Sequence, residues 1–211
     1  MKRKVFGLMI VASLVFILTG CMKIIKIGEE GKYTGKTEFN ASDSVDELWD
    51  SAVEDISSRA VDLPTFITES NGDLKSLADE YGTYSMGTSG TLSYPVKGAG
   101  TVEEVENTKK AGYITINLDG YEGPEVIKLQ IGSVYKGSST RDSLTIINFG
   151  DYTNQEEWAA ISKHLHEMID VKVIQPADPS TLLGKDIEFV GTFTVDQNDE
   201  ILITPVSLTV K

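Results

Sequence analysis

The sequence predicts an α+β protein, mainly β, and three observations carry that prediction. Apolar residues recur at helical spacing between residues 42 and 82; from Tyr94 onward they alternate with a period of two; and one amphipathic helix interrupts the alternating segments after the third. Three meandering strands, a helix and a closing hairpin are the order of a five-stranded OB barrel. The expected architecture is an OB-like barrel preceded by an N-terminal helical segment. An open α+β sheet with the helix packed on one face is the alternative.

The helical segment begins at Ser44-Val45-Asp46-Glu47, which reads as a capping box, with Val45, Leu48, Trp49, Ala52, Ile56 and Ala60 along one face. Asp62-Leu63-Pro64 restarts the chain, because proline is tolerated in a first helical turn. Asn71-Gly72 interrupts it, and Leu74, Leu77, Ala78 and Tyr81 outline a last short helix ending at Gly82. In the first strand Tyr94, Val96, Gly98, Gly100 and Val102 share a face, with glycines where the strand must bend or pack closely. Ile114, Ile116 and Leu118 lead to an Asp119-Gly120 turn, and Ile127, Leu129 and Ile131 form the third strand. Thr153 and Glu156 then read as the cap of a helix with Trp158, Ile161, Leu165 and Met168 as its buried stripe. Ile187, Phe189, Gly191, Phe193 and Val195 make the fourth strand. In the fifth, Ile201 and Ile203 differ in parity from Val206, Leu208 and Val210, so a bulge is expected near Thr204-Pro205.

With 211 residues, 40% of them hydrophobic, the chain can bury a working core. A single cysteine excludes an internal disulfide framework and a cysteine-based zinc site. The formal net charge of −13 argues against nucleic acid, whose phosphates are bound by Lys and Arg. No cofactor is expected.

Lys2, Arg3 and Lys4 form a positive n-region ahead of the apolar run Val5–Leu18, which is shorter than the roughly 20 residues that cross a bilayer. Leu18-Thr19-Gly20-Cys21 follows and resembles the bacterial lipobox, with small residues before the one thiol that can receive a diacylglycerol. Residues 1–20 are therefore expected to be a lipoprotein signal peptide and 21–41 a lipidated tether with a possible first strand. Residues 42–90 form the helical segment and connector, and 91–211 the barrel with its helix at 153–170. Removal of the signal would take three basic and no acidic residues, leaving a still more acidic body. Lys23, Lys26, Lys32 and Lys36 offset that locally beside the membrane. Durable anchoring takes two or three acyl chains, palmitate among them.

The densest polar cluster runs from Lys136 to Gln155. Arg141 offers a planar fork, Asp142 accepts hydroxyl protons, and Asn148, Asp151, Asn154 and Gln155 add amides and a carboxylate. Tyr135, Phe149, Tyr152 and Trp158 supply rings. Planar polar groups beside aromatic faces suit a sugar, so Arg141, Asp142, Asn148, Asp151, Asn154, Gln155 and Trp158 are the candidate ligand-binding residues. The competing reading is structural: ion pairing of Arg141 and Asp142, and helix capping by Asp151 to Gln155. The segment Tyr81–Gly90 is rich in glycine but lacks the P-loop spacing, and reads as a connector. Asp196–Glu200 reads as a solvated turn, since it lacks the glycine and spaced glutamate of an EF-hand. His164 and His166, two apart on a helix, point in different directions and make no metal pair. No GxSxG elbow occurs, and nothing singles out two carboxylates for glycoside cleavage.

Together, Leu18-Thr19-Gly20-Cys21, the run Ile27–Gly35, Tyr84–Gly90, Arg141-Asp142-Ser143, Asn148–Gln155 and Ile203–Val206 resemble the uncharacterised family of predicted periplasmic lipoproteins often encoded beside sugar ABC-transport genes. The resemblance covers nearly the whole chain after Cys21. It implies location and genomic company, and carries over no catalytic residues. The expected function is that of an extracytoplasmic, membrane-tethered, non-catalytic accessory of sugar uptake. Its partners would be the membrane through Cys21, an ABC-transporter component or solute-binding protein, and a sugar. The alternatives are a surface carbohydrate-active enzyme using unidentified carboxylates, and an envelope assembly protein docking through exposed Leu48 and Trp49.

Overall fold

The computed structural model describes residues 39–87, 89–195 and 201–211. The signal segment, Cys21, the tether as far as residue 38 and the Asp196–Glu200 turn lie outside the described residues, and Ala41, expected at the end of the tether, already belongs to the first helix.

Helix α1 spans Ala41–Arg59 and begins earlier than the Ser44 box suggests. Asn40 is the cap: its side-chain oxygen accepts the backbone N–H groups of Ser42 and Asp43, while the Ser44 hydroxyl donates back to the Asn40 carbonyl. The upstream cap wins because it adds a turn that buries Ala41 in line with Val45, Trp49, Ala52 and Ile56. Asp62 caps α2 (Leu63–Ser70) with Pro64 in its first turn, and Asn71 ends it in the left-handed region at φ 46°. A 3₁₀ turn (Leu74–Leu77) leads into α3 (Ala78–Tyr81).

Five strands follow: β1 (Leu92–Glu106), β2 (Tyr113–Leu118), β3 (Ile127–Gln130), β4 (Asp186–Thr194) and β5 (Ile201–Val210). They pair in the order β1-β2-β3-β5-β4, and β4 returns to β1 along Ser93↔Thr194 to Thr101↔Asp186. The sheet is thus a closed ring rather than the open alternative, with β3 and β5 its parallel neighbours. Closure leaves none of the five strands with a free edge along its whole length. Two short segments, Val61–Asp62 and Thr83–Tyr84, add onto β1 from outside the ring.

The expected bulge is present. Val190 pairs with Ser207 but Gly191 pairs with Pro205, so Val206 is the extra residue. A side chain at Gly191 would meet the Thr204 carbonyl at 2.6 Å, and one at Gly100 would meet the Asn117 carbonyl at 2.3 Å. Both close approaches require glycine.

Between β3 and β4 lie α4 (Ser139–Ser143) and α5 (Gln155–Ile169). Asn154, rather than Thr153, caps α5. Its side chain accepts the Glu157 N–H at 2.9 Å, and the Glu157 carboxylate accepts the Thr153 N–H at 2.8 Å. The cap is thus shifted one residue along the chain, and the Glu157 carboxylate reaches back to the residue before it. Trp158, Ile161, Leu165 and Ile169 are buried, whereas Met168 is only partly so. A π-helical turn (Asp170–Ile174) then rotates the apolar face so that Val173 and Ile174 are buried, before the short α6 (Gln175–Ala177).

Helices and barrel share one core. Phe66 on α2 lies 4.7 Å from the ring of Tyr94 and 5.7 Å from that of Phe193, and all three are fully buried. The Tyr94 hydroxyl is satisfied by the Leu74 carbonyl at 2.6 Å, and burial raises its pKa.

Candidate functional site

Helix α4 has no apolar period, and its buried side is polar. Ser139 and Thr140 reach the barrel end through Thr192 and Thr204, with Ser139 Oγ 3.0 Å from Thr192 Oγ1 and 3.1 Å from Thr204 Oγ1. Gln130 donates to Thr204 Oγ1 at 2.8 Å and accepts the Lys136 N–H at 2.7 Å. This satisfied polar ladder fixes α4 against the barrel and so aims the next two residues, Arg141 and Asp142.

Arg141 spends its fork inward. Its Nε and Nη2 donate to the same Asp142 oxygen at 2.9 and 2.6 Å, and its Nη1 donates to the Trp158 carbonyl at 3.1 Å. The guanidinium lies 4.5 Å from the centroid of the Trp158 ring, a cation–π contact. Burial raises the pKa of Asp142, and the Arg141 charge opposes that rise. Phe149 packs edge-on to Trp158 at 6.2 Å and Tyr152 lies at 5.0 Å.

Arg141, Asp142, Phe149 and Trp158 form one side of a cleft of about 500 Å³. Thr83, Tyr84, Ser85, Met86 and Gly87 form the other, and Leu144, Thr145, Ile147, Asn148 and Gly150 complete it. The Thr83–Gly87 wall starts as the segment paired with β1. It is turned by a Gly87 N–H to Tyr84 carbonyl bond at 3.1 Å, with Gly87 at φ 78°. The segment read from sequence as a connector therefore also walls the cleft. Outside this lining, α1 ties the two sides together. Asp55 accepts the Thr145 N–H at 2.9 Å and its hydroxyl at 2.6 Å, while Arg59, bonded to Asp55, donates to Thr83 Oγ1 at 3.3 Å and to the Ser143 carbonyl. Burial raises the Asp55 pKa, but the hydrogen bonds from Arg59 and Thr145 outweigh it and leave the pKa lowered.

Of the seven candidate residues, Arg141, Asp142, Asn148 and Trp158 come together in the cleft lining. Asp151, Asn154 and Gln155 do not. Asp151 accepts the Asn148 N–H at 2.7 Å, Asn154 caps α5, and Gln155 is the exposed first residue of that helix. Tyr135 turns away and stacks on His166, 4.6 Å between centroids, where burial lowers the His166 pKa to about 4 with help from Arg141. His164 instead pairs with Glu167 at 2.7 Å. Thr83 and Ser85 had no signal linking them to this cluster, because the two walls are more than fifty residues apart in the chain, and nothing singles out Thr145 and Ile147 within the Lys136–Gln155 run.

Fold and cleft define a closed OB barrel with a helical N-terminal part and a ligand-sized recess on its helix side. A crystal structure of an OB-fold protein from Thermotoga maritima is similar, with a TM-score of 0.64 at 15% identity, covering 83% of this chain and 100% of that one. At that identity the likeness speaks to fold alone. The chain belongs to the family described as predicted periplasmic lipoprotein (DUF2291), whose model matches residues 11–209. It is accordingly an extracytoplasmic lipoprotein held at a membrane, and among the described residues no helix is long and apolar enough to cross one. No curated protein matches the chain.

Proposed function

We propose that this lipoprotein is a non-catalytic accessory of solute uptake that binds a sugar in the cleft between Tyr84 and Trp158. Residues 1–20 act as its signal peptide, and acylated Cys21 holds the cleft near a transporter component or solute-binding protein. The observation that carries the reading is the cleft's composition: the rings of Tyr84, Phe149 and Trp158 together with the hydroxyls of Thr83, Ser85 and Thr145 and the amide of Asn148. A sugar ring presents an apolar C–H face to the first set and hydroxyls to the second. Glycoside cleavage asks for two carboxylates flanking one bond. The described lining contains one, Asp142, already bonded to Arg141, and this favours binding over turnover. Trp49 is 6% exposed, with Lys172 over its ring, which takes weight from the docking alternative.

The test is thermal unfolding of the full chain in detergent, followed by tryptophan fluorescence, against a panel of mono- and oligosaccharides. A ligand at 100-fold its Kd stabilises the folded state by about 2.7 kcal/mol, several degrees for a domain of this size. The expected result is a shift with some panel members that Arg141→Ala diminishes, because Arg141 holds Trp158 by its carbonyl and its ring. No shift across the panel overturns the sugar reading. A shift unchanged in a folded Arg141→Ala variant overturns the placement.

A further inference from the structure

We infer that the cleft selects an uncharged saccharide over its acidic counterpart, and that Asp142 sets this selectivity by occupying the fork of Arg141. The inference rests on the cleft being a sugar site, and concerns which sugars it accepts.

The argument starts from scarcity. After Cys21 the chain has two arginines, Arg59 and Arg141, and both attach to this cleft. An arginine at a ligand site ordinarily marks recognition of a carboxylate or phosphate. Here both are neutralised by an aspartate of their own: Arg59 by Asp55 at 2.9 Å and Arg141 by Asp142 at 2.6 Å. In the described lining, Arg141 and Asp142 are the only formal charges, and they cancel.

Three costs face an acidic ligand. First, three of the five Arg141 N–H donors are already engaged, the Nε–Nη2 edge on Asp142 and Nη1 on the Trp158 carbonyl, so the side of the fork that grips a carboxylate here is taken. Second, a ligand carboxylate that displaced Asp142 would strand it, because the Asp142 side chain is only 5% exposed. A buried carboxylate left without its partner is destabilising. Third, the chain's net charge of −13 disfavours the approach of any anion. A neutral sugar meets none of these. Its hydroxyls exchange donors and acceptors with Thr83, Ser85, Thr145 and Asn148, and its C–H face packs on the rings.

The experiment compares matched pairs that differ only at C6: D-glucose with D-glucuronate, and D-galactose with D-galacturonate, titrated calorimetrically into the full chain in detergent. Larger neutral sugars from the panel are included with their oxidised forms. The expected result is at least tenfold weaker binding of the uronate for any neutral sugar that binds. Asp142→Asn, which keeps the shape but leaves the Arg141 charge uncancelled and its neutral amide easier to displace, should then narrow that ratio at least tenfold by strengthening uronate binding. If this variant does not fold, the wild-type titration repeated from 20 to 500 mM NaCl decides. Binding of the neutral sugar should be unmoved by salt, and salt-weakened binding would overturn the inference. Equal binding of both members of a pair, or preference for the uronate, overturns the inference and leaves a sugar site standing. Silence toward every sugar, acidic or neutral, overturns the sugar site itself.

Discussion

Asp55–Arg59 and Arg141–Asp142 are the same two residue types bound to one cleft, yet their surroundings give them opposite characters. Asp55 gathers four hydrogen bonds, two from Arg59 and two from Thr145, so its carboxylate is held in the charged form and its pKa is lowered. Asp142 sits deeper and its bonds come from Arg141 alone, so burial wins and its pKa is raised. Burial raises both; the depth of burial and the number of donors together decide the sign. The first pair is a tie between α1 and the two cleft walls, and stabilises while ionised. The second is a charge kept under load in the lining itself.

The largest way to break this contrast is Asp55→Ala. It strands Arg59, which cannot shed its proton, and removes the acceptor of the Thr145 N–H. The expected loss is about 3 kcal/mol by urea denaturation, nearly constant from pH 7 to pH 5. Arg141→Ala strands Asp142 instead, which can neutralise itself. We expect a loss of about 2 kcal/mol at pH 7 that shrinks as the buffer is acidified. A pH-independent loss in the second variant would remove the distinction between the pairs.

A smaller effect comes from His166 beneath Tyr135. Its folded pKa of about 4 lies below the ordinary histidine value, so between the two the unfolded chain binds the extra proton. Stability should therefore fall as pH drops, by about 1 kcal/mol between pH 7 and pH 5.5, and His166→Phe should flatten that slope while keeping the stack. The finest test is of sign. Below about pH 5, protonating Asp55 costs stability because its folded pKa is depressed, whereas protonating Asp142 restores some because its folded pKa is raised. Asp55→Asn should thus be less acid-sensitive than the parent and Asp142→Asn more so, measured as the change in urea midpoint.

What the sequence made legible follows from the length scale of each interaction. The strand order, the helix stripe through Trp158, Ile161 and Leu165, and the bulge beside Pro205 are written in local periods of two and 3.6. Cap positions slipped, from Ser44 to Asn40 and from Thr153 to Asn154, because neighbouring Asn, Ser and Thr compete for the same N–H groups. Helix α4 stayed hidden because its buried partners are Thr192 and Thr204 rather than apolar residues. Half of the cleft was visible as the polar cluster around Arg141. The opposite wall at Thr83–Gly87 was not, since only the folded chain brings it there. The capping that absorbs Asp151 and Asn154 was visible as the competing reading of those residues.

OB barrels commonly bind on the outer face of their second and third strands. Here that face carries Tyr113 with Lys128 over its ring at 4.6 Å, whereas the cleft lies on the helix side. The direct measurement is a crystal structure of the chain with the saccharide that gives the largest thermal shift. The account predicts a sugar between Tyr84 and Trp158, its hydroxyls on Asn148 and Thr145, with the Arg141–Asp142 pair intact. A sugar seated over Tyr113 and Lys128 instead, with the cleft empty, would contradict it.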